Sequence, residues 1–177
     1  GVVPSHAAIT RNIEIPSRNP DEIREIVNLQ AGRHTPYSRS EIVVDYLNLG
    51  VFKNIYTKVL LVIVPRTAIK RFYDVAEKLK FQVGKIVFAP EAMMRSAVRH
   101  LRLESEGLPV GFIHMDRETT EFLVASKGLV LFMRTIPIGA GHFSEDPENT
   151  QARFIEELKK SLEAYQSENI DQNPKLL

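Results

Sequence analysis

From Val110 to Gly141 the chain reads VGFIHMDRETTEFLVASKGLVLFMRTIPIGAG, and this stretch leaves few folding choices. An apolar run, Val110–Met115, is followed by the polar turn Asp116-Arg117-Glu118-Thr119-Thr120 and a second run, Glu121–Ala125. Ser126-Lys127-Gly128 then reverses the chain into Leu129–Ile138, which ends on Gly139-Ala140-Gly141. Short β-rich runs joined by brief polar or glycine-bearing connections predict three consecutive antiparallel strands. A strand–turn–strand with paired threonines in its turn is also how several nucleotide-binding folds offer backbone N–H groups to a phosphate. Whether this turn can do so is the central chemical question posed by the sequence.

The rest of the composition narrows the class. The 177 residues suffice for one domain or two small ones. Basic side chains number 23 and acidic ones 22, so no net field draws the whole chain to nucleic acid or anionic lipid. The absence of cysteine excludes a disulfide framework and a thiolate metal site, which fits a cytoplasmic location. The longest apolar run, Val59–Val64, is far too short to span a bilayer, and no charged-then-apolar leader opens the chain. A start at Gly1 without Met reads as the cut end of a fragment.

Upstream, a short strand or turn at Val2-Val3 feeds a strand over Ala7–Ile15, with Ile9, Arg11, Ile13 and Ile15 on one face. Asn19-Pro20-Asp21-Glu22 is a helix start: Asn as N-cap, Pro at the first position, an acid three residues after the cap. Ile23, Ile26, Val27 and Ala31 follow at helical spacing, and Gly32 to Ser40 breaks the helix. Glu41–Leu49 and Tyr56–Val64 form an antiparallel pair around a loop at Gly50–Asn54. Pro65-Arg66-Thr67 opens a second helix with Ile69, Phe72, Tyr73, Ala76 and Leu79 on its apolar stripe. Residues 19–80 thus read as a helix–strand–strand–helix unit. Val83–Ala89 predicts another strand, Pro90-Glu91 a third helix through Met93, Ala97 and Leu101, and Ser105-Glu106-Gly107 a domain break. A fourth helix carries Phe154, Ile155, Leu158, Leu162 and Tyr165, and the tail from Ser167 is polar.

The order of these pieces resembles a known family. ITRNIEIP, QAGRHTPYSRSEIVVDYLNL, KVLLVIVPRTAIKRFYDVAEKLKF and KIVFAPEAMMRSAV are similar to the type IV pilus assembly protein PilM family, actin-like ATPases close in layout to FtsA. The segment GFIHMDRETTEFLVASKGLVLFMRTIPIG resembles the family's second phosphate-binding hairpin and the strand after it. The resemblance implies an α/β chain with mixed sheets, a fragment of the actin-like (ribonuclease H-like) fold with an inserted 1C-type subdomain. It assigns residues 1–18 and 81–106 to subdomain 1A, 19–80 to 1C and 107–177 to the start of 2A. The family's first phosphate hairpin falls upstream of Gly1 and its adenosine motif downstream of Leu177, so ATP and Mg²⁺ would require the longer parent. No cofactor and no metal are expected for this fragment.

On this resemblance Asp116, Thr119, Thr120, Gly139 and Gly141 would face nucleotide. Aligned on Thr119-Thr120, the family's acid falls on His114 and its glycine on Asp116. A glycine there lets the backbone approach phosphate without a Cβ. An aspartate adds a carboxylate that, at about 4 Å and an effective dielectric near 20, opposes a phosphate charge by roughly 4 kcal/mol. Mg²⁺ held through water by Asp116 would offset part of this. The alternatives at this point are a polar hairpin turn and a degenerate phosphate contact.

Other constellations carry less. His6, His34, His100, His114 and His142 lack metal-ligand spacing, and neither Ser5-His6 nor His142-Phe143-Ser144 has a nucleophile signature, so no catalytic residue is nominated. Arg95, Arg99 and Arg102 read as a solvated helix face, and Met93-Met94 as core fillers. Three functions follow from the resemblance. The first is a non-enzymatic scaffold, peripheral to the inner membrane, binding the short cytoplasmic tail of a membrane-anchored pilus protein near the 1A/1C junction, with Arg11, Arg33, Tyr37 and Tyr46 as contacts. The second is an ATPase completed by sequence outside this chain, and the third an FtsA-like homo-oligomeric filament module. Membrane contact is expected only through the partner, and a pilus or a secretion system is equally compatible.

Overall fold

The structure, a computed structural model, describes residues 1–52, 56–101, 109–126, 129–168 and 175–176. The chain divides into two compact units, Gly1–Ala92 and Met93–Leu177.

In the first unit, β1 (Val2–Val3) precedes a 3-10 turn (Ser5–Ala7) and β2 (Ile9–Ile15). Helix α1 (Pro20–Ala31) follows, then a 3-10 turn (Arg39–Glu41), β3 (Ile42–Phe52), β4 (Tyr56–Pro65), α2 (Arg66–Lys78) and β5 (Val87–Phe88). Every residue from Thr57 to Val64 is buried, so β4 must be covered on both faces and both edges. It is the central strand of the antiparallel sheet β2-β4-β3. Ile9–Ile15 pairs residue for residue with Thr57–Ile63. The sheet that holds β3 and β4 thus also takes in β2, which precedes the expected 19–80 unit, because a strand buried on both sides needs a neighbour on both edges.

Helix α1 starts as the sequence predicts. Asn19 Oδ1 accepts the Asp21 N–H at 2.9 Å, with Pro20 in the first turn. Glu22, expected to close a capping box, instead accepts the Ser17 hydroxyl at 2.5 Å. Ser17 also accepts the Asn19 N–H through Oγ and the Thr57 hydroxyl through its carbonyl, tying the exit of β2 to the central strand. Ile23, Val27 and Ala31 pack on Ile15, Ile42, Val59, Leu61 and Ile63. In β3 the register shifts between Asn48 and Gly50. This bulge has a cause in the sequence: Gly50 sits at φ 116°, a region open to glycine, and its N–H is held by Asn48 Oδ1 at 2.8 Å. The strand runs on to Phe52, so Gly50–Phe52 of the expected loop at Gly50–Asn54 belong to the ladder, and residues 53–55 lie outside the described residues.

Two further expectations change. The strand foreseen over Val83–Ala89 is only Val87–Phe88, paired in parallel with Val2–Val3. Gly84 and Lys85 beside it stay out of any ladder. Helix α2 keeps its predicted stripe but covers it poorly: Ile69, Phe72 and Ala76 are half-buried, Tyr73 and Leu79 are exposed, and no residue of the helix is fully buried.

Helix α3 (Ala89–Leu101) enters the second unit at Met93 and precedes β6 (Val110–Met115), β7 (Thr120–Ser126) and β8 (Leu129–Ile136). Next come α4 (Ala140–Glu145), α5 (Pro147–Ser167) and β9 (Lys175–Leu176). The expected break at Ser105-Glu106-Gly107 and the Lys127-Gly128 reversal lie outside the described residues. The sheet order is β8-β7-β6-β9, with the first three antiparallel and β9 parallel to Val110-Gly111. Thr120 to Ala125 are all buried, which again makes the middle strand the frame. Phe122 and Val124 join Phe132, Ile136, Ile138 and Tyr165 of α5 in one core. Phe122–Phe132 and Phe132–Tyr165 meet edge to face at 6.3 and 5.8 Å. Arg134 and Glu157 join β8 to α5 at 2.8 Å.

Removing the Leu61 side chain (Leu61→Ala) is expected to cost about 2–5 kcal/mol of stability, whereas Leu29→Ala, on the solvent side of α1, should change it by less than about 0.5 kcal/mol. Urea denaturation of the two variants checks this; similar losses would show that β4 is not the central support.

Candidate functional site

The hairpin turn and the chain after β8 meet. Asp116 and Arg117 present their carbonyls to Ala140 N–H at 2.8 Å and Gly141 N–H at 2.9 Å. Gly139 lies so close that a Cβ there would stand 2.4 Å from both carbonyl oxygens. Its φ of −127° is open to any residue, so glycine is required by the close approach and not by the torsion. Thr120, fully buried, donates its hydroxyl to the Ile138 carbonyl at 2.6 Å, closing the same junction from within. Four of the five residues named for nucleotide, Asp116, Thr120, Gly139 and Gly141, are thus brought together, and Thr119 lies beside them with its carbonyl accepting the Asp116 N–H at 2.8 Å.

The contacts they make are with one another. Arg117 N–H goes to Asp116 Oδ1 at 2.7 Å, Gly139 N–H to His142 Nδ1 at 3.1 Å, and His142 N–H to Gly139 O at 3.1 Å. The backbone donors of Asp116, Arg117, Gly139, Ala140, Gly141 and His142 are therefore all spent inside the chain. A phosphate cradle works by offering such donors outward. The exposed surface is a shallow depression lined by Met115, Asp116, Arg117, Gly141, Ser144 and Glu145, with Asp116 and Glu145 on its acidic side. Arg117 is paired with Glu118 at 3.3 Å. The roles of the Arg117 carbonyl and of His142 escaped the sequence reading. A histidine three residues into a helix is a visible capping signal, but a backbone carbonyl leaves no trace in composition.

The residues named for a partner divide differently. Arg11 and Tyr46 lie opposite Leu61 from its two sides, in one row across the three-stranded sheet. Arg11 is exposed on the β2 edge, and Tyr46 is half-buried with its hydroxyl 3.5 Å from Pro20 O. Arg33 and Tyr37 lie on the exposed connection after α1, outside the sheet. That connection ends in a turn in which Ser38 gives both its N–H and its hydroxyl to Glu41, at 2.9 and 2.7 Å. These bonds hold the Glu41 carboxyl below its ordinary range.

The opposite face of the sheet opens into a cleft of about 510 Å³. Val43, Asp45 and Leu47 of β3, Val62 of β4, Tyr73 of α2 and Lys85 line it. Among the described residues β3 is an edge strand of its sheet, so the cleft runs beside a sheet edge, where the Tyr46 N–H is held by Asp45 Oδ1 at 2.9 Å. Of the four residues named from the sequence only Tyr46 reaches it. The missed signal is period-2 alternation: Val43, Asp45 and Leu47 fall on the face opposite Val44 and Tyr46.

Sequence comparison settles the family. The model for the family described as type IV pilus assembly protein PilM matches residues 2–160. The chain belongs to that PilM family. Among curated proteins none matches the sequence significantly. A chain of the PilM–PilN type IV pilus biogenesis complex has the same fold, with TM-score 0.80 and 18% identity over 99% of this chain and 61% of that one. The present chain therefore spans about three fifths of the length of the solved one. More distant similarities extend to the cytoplasmic domain of EpsL, an inner-membrane component of the Vibrio cholerae type II secretion system (TM-score 0.49, 14% identity, 77% of this chain and 50% of that one). A Bacteroides thetaiotaomicron protein with an actin-like ATPase fold matches at TM-score 0.44 and 9% identity over 89% of this chain and 53% of that one. The mixed α/β architecture expected from the sequence is the one observed, and it is shared with the chain of that PilM–PilN complex.

Within this PilM-family hairpin, Gly139→Ala should destabilise the chain by about 1–3 kcal/mol or more through overpacking against the turn carbonyls. Thr120→Val should cost about 1–3 kcal/mol by leaving the Ile138 carbonyl without its donor. Thermal denaturation of the two variants measures both. The Ser38–Glu41 turn has a predictable acid limit. Its carboxylate has a folded pKa below the unfolded value, so the contribution is complete above the unfolded pKa and is lost as pH falls through the folded one. Hydrogen exchange of the Ser38 amide should accelerate, relative to a matched peptide, only over that acid window.

Proposed function

We propose that this PilM-family chain is a scaffold that captures the short cytoplasmic tail of a membrane-anchored, PilN-type pilus partner, and that it does so in the cleft beside β3. The observation that carries the reading is the coincidence of an edge strand with a cleft whose wall combines Val43, Leu47 and Tyr73 with the charged Asp45 and Lys85. An extended segment added to a sheet edge gains affinity from main-chain hydrogen bonds and specificity from pockets for alternate side chains. Asp45 and Lys85 supply charge at the cleft wall, and they would set the register of such a segment. The solved relative named for a PilM–PilN complex supports this choice of partner. Of the residues first named, Tyr46 borders the cleft from β3 but packs its side chain on the α1 face of the sheet, while Arg11, Arg33 and Tyr37 stand apart from it as secondary contacts.

The same reading makes the chain a non-catalytic part of an inner-membrane assembly platform, held in the cytoplasm at the membrane by its partner. On this reading residues 1–18 and 81–106 are assigned to subdomain 1A, 19–80 to 1C and 107–177 to the start of 2A, with β2 of the first segment completing the sheet of 1C. The internally consumed donors around Asp116 and Gly139 support treating the hairpin as closed to nucleotide in this chain.

A synthetic peptide of the cytoplasmic tail of the cognate PilN-type protein, titrated by calorimetry, should bind the chain with a 1:1 stoichiometry. Leu47→Lys should abolish binding, while Ile155→Lys, exposed on α5, should leave it intact. Equal binding by both variants would remove the cleft from the interface. ATP with Mg²⁺ should leave the melting temperature unchanged; a rise that grows with nucleotide concentration would restore the nucleotide reading.

A further inference from the structure

The β3 edge is not left bare. The Tyr46 N–H donates to Asp45 Oδ1 at 2.9 Å. Asp45 stands opposite Val62 of β4, and Tyr46 opposite Leu61. In an antiparallel ladder the backbone groups of successive residues point alternately to the two sides of a strand. An N–H taken by a side chain of its own strand lies on the side away from β4, so the backbone groups of Val44 and Tyr46 line the free edge. Those of Val43, Asp45 and Leu47 turn to β4, while their side chains line the cleft. The Asp45 carboxylate thus holds a main-chain donor that an added strand would need. A charged side chain on an edge strand is one way a protein keeps that edge from pairing at random.

The surroundings of this carboxylate say what could draw it away. The charged residues lining the cleft are Asp45, Glu91 and Lys85, two acids against one base. Among the described residues Asp45 forms no ion pair, with Lys85 or with any other group. It is also exposed, so a carboxylate released from the Tyr46 N–H is open to a group brought in by the arriving segment.

We propose that Asp45 is the selectivity residue of the cleft: it yields the Tyr46 N–H to an extended segment that sets a lysine or arginine opposite it, and disfavours segments that do not. This rests on the capture of a PilN-type tail in the cleft and adds the chemistry that the tail must carry. Before the exchange, the Tyr46 N–H is bonded to the carboxylate. Afterwards it is bonded to a main-chain carbonyl of the tail, and the carboxylate meets the tail's cation. A residue placed antiparallel to Asp45 on the free edge occupies a non-hydrogen-bonded site, where facing side chains come closest. Tail residues two positions to either side fall opposite Val43 and Leu47 and would be apolar. A neutral segment must leave its own carbonyl without the Tyr46 donor, or cover a displaced carboxylate that has no partner; both lower its affinity.

Calorimetry tests this with the cytoplasmic tail peptide of the cognate PilN-type protein and with peptides in which each lysine or arginine is replaced by glutamine in turn. One replacement should weaken binding about three- to fivefold, the size of a favourable cross-strand charge pair. With the Asp45→Ala chain the same replacement should have no effect, and that glutamine peptide should bind Asp45→Ala more tightly than the unsubstituted chain. Hydrogen exchange gives a reading that a merely structural Asp45 would not. In the free protein the Tyr46 amide should exchange faster in Asp45→Ala, and the tail peptide should protect it in both chains. A tail without lysine or arginine, equal affinity for every peptide, a charge effect that survives in Asp45→Ala, or a bound tail that leaves the Tyr46 amide unprotected would each overturn the proposal and leave tail capture standing. Failure of every peptide to bind would remove the capture reading and this one with it. Self-association of the unsubstituted chain that Leu47→Lys abolishes would assign the edge to a second copy and overturn the proposal as well.

Discussion

A strand buried on both faces cannot stand at the rim of a sheet, and each unit of this chain is built around one. Thr57–Val64 in the first and Thr120–Ala125 in the second leave no side chain in water. Their backbone groups must then be satisfied by a neighbour on each edge, because unpaired buried amides are too costly to keep. The flanking strands follow from this, as does the packing of α1 on one face of the first sheet and of α5 on one face of the second. What stays exposed includes the outer edge of β3, the outer flank of α2 and the turn between β6 and β7.

The hairpin turn keeps its strand–turn–strand shape while its backbone donors are bonded within the chain. The strands, the buried threonine and the close glycine are all present, and they hold the chain together at Asp116–Arg117 and Gly139–Gly141. Yet the donors that would greet a phosphate are turned inward, each on a carbonyl, a carboxylate or an imidazole of the chain itself. Any anion would have to displace bonds already made and would meet Asp116 and Glu145 beside it. The same glycines that a ligand would need are here needed by the turn.

Much of this was legible in the residues. The Asn19-Pro20 start of α1, the pairing of β3 with β4 and the three strands from Val110 follow from local rules: caps, alternation and short connections. So does the stripe of α5, where Phe154, Leu158, Leu162 and Tyr165 return at helical spacing. What failed were statements about neighbours distant in sequence. Ile9–Ile15 carries no mark that its partner is Thr57–Ile63, and Val83–Ala89 is as apolar as a strand although only Val87-Phe88 finds one to pair with. Glu22 stands where a capping box wants it, but a serine in the connection after β2 takes its carboxylate first.

The sequence alone determined the element types, the family resemblance and the departure at Asp116, since these depend on residue identity and on spacings of a few positions. Tertiary structure decided which edges stay open, which side of β3 faces a cleft, and whether the donors near Gly139 point out or in. It also decided that the stripe of α2 is only partly covered. The physical reason is common to all of these. Burial and hydrogen-bond satisfaction are settled between segments tens of residues apart, and composition records what each segment can offer but not what has taken it.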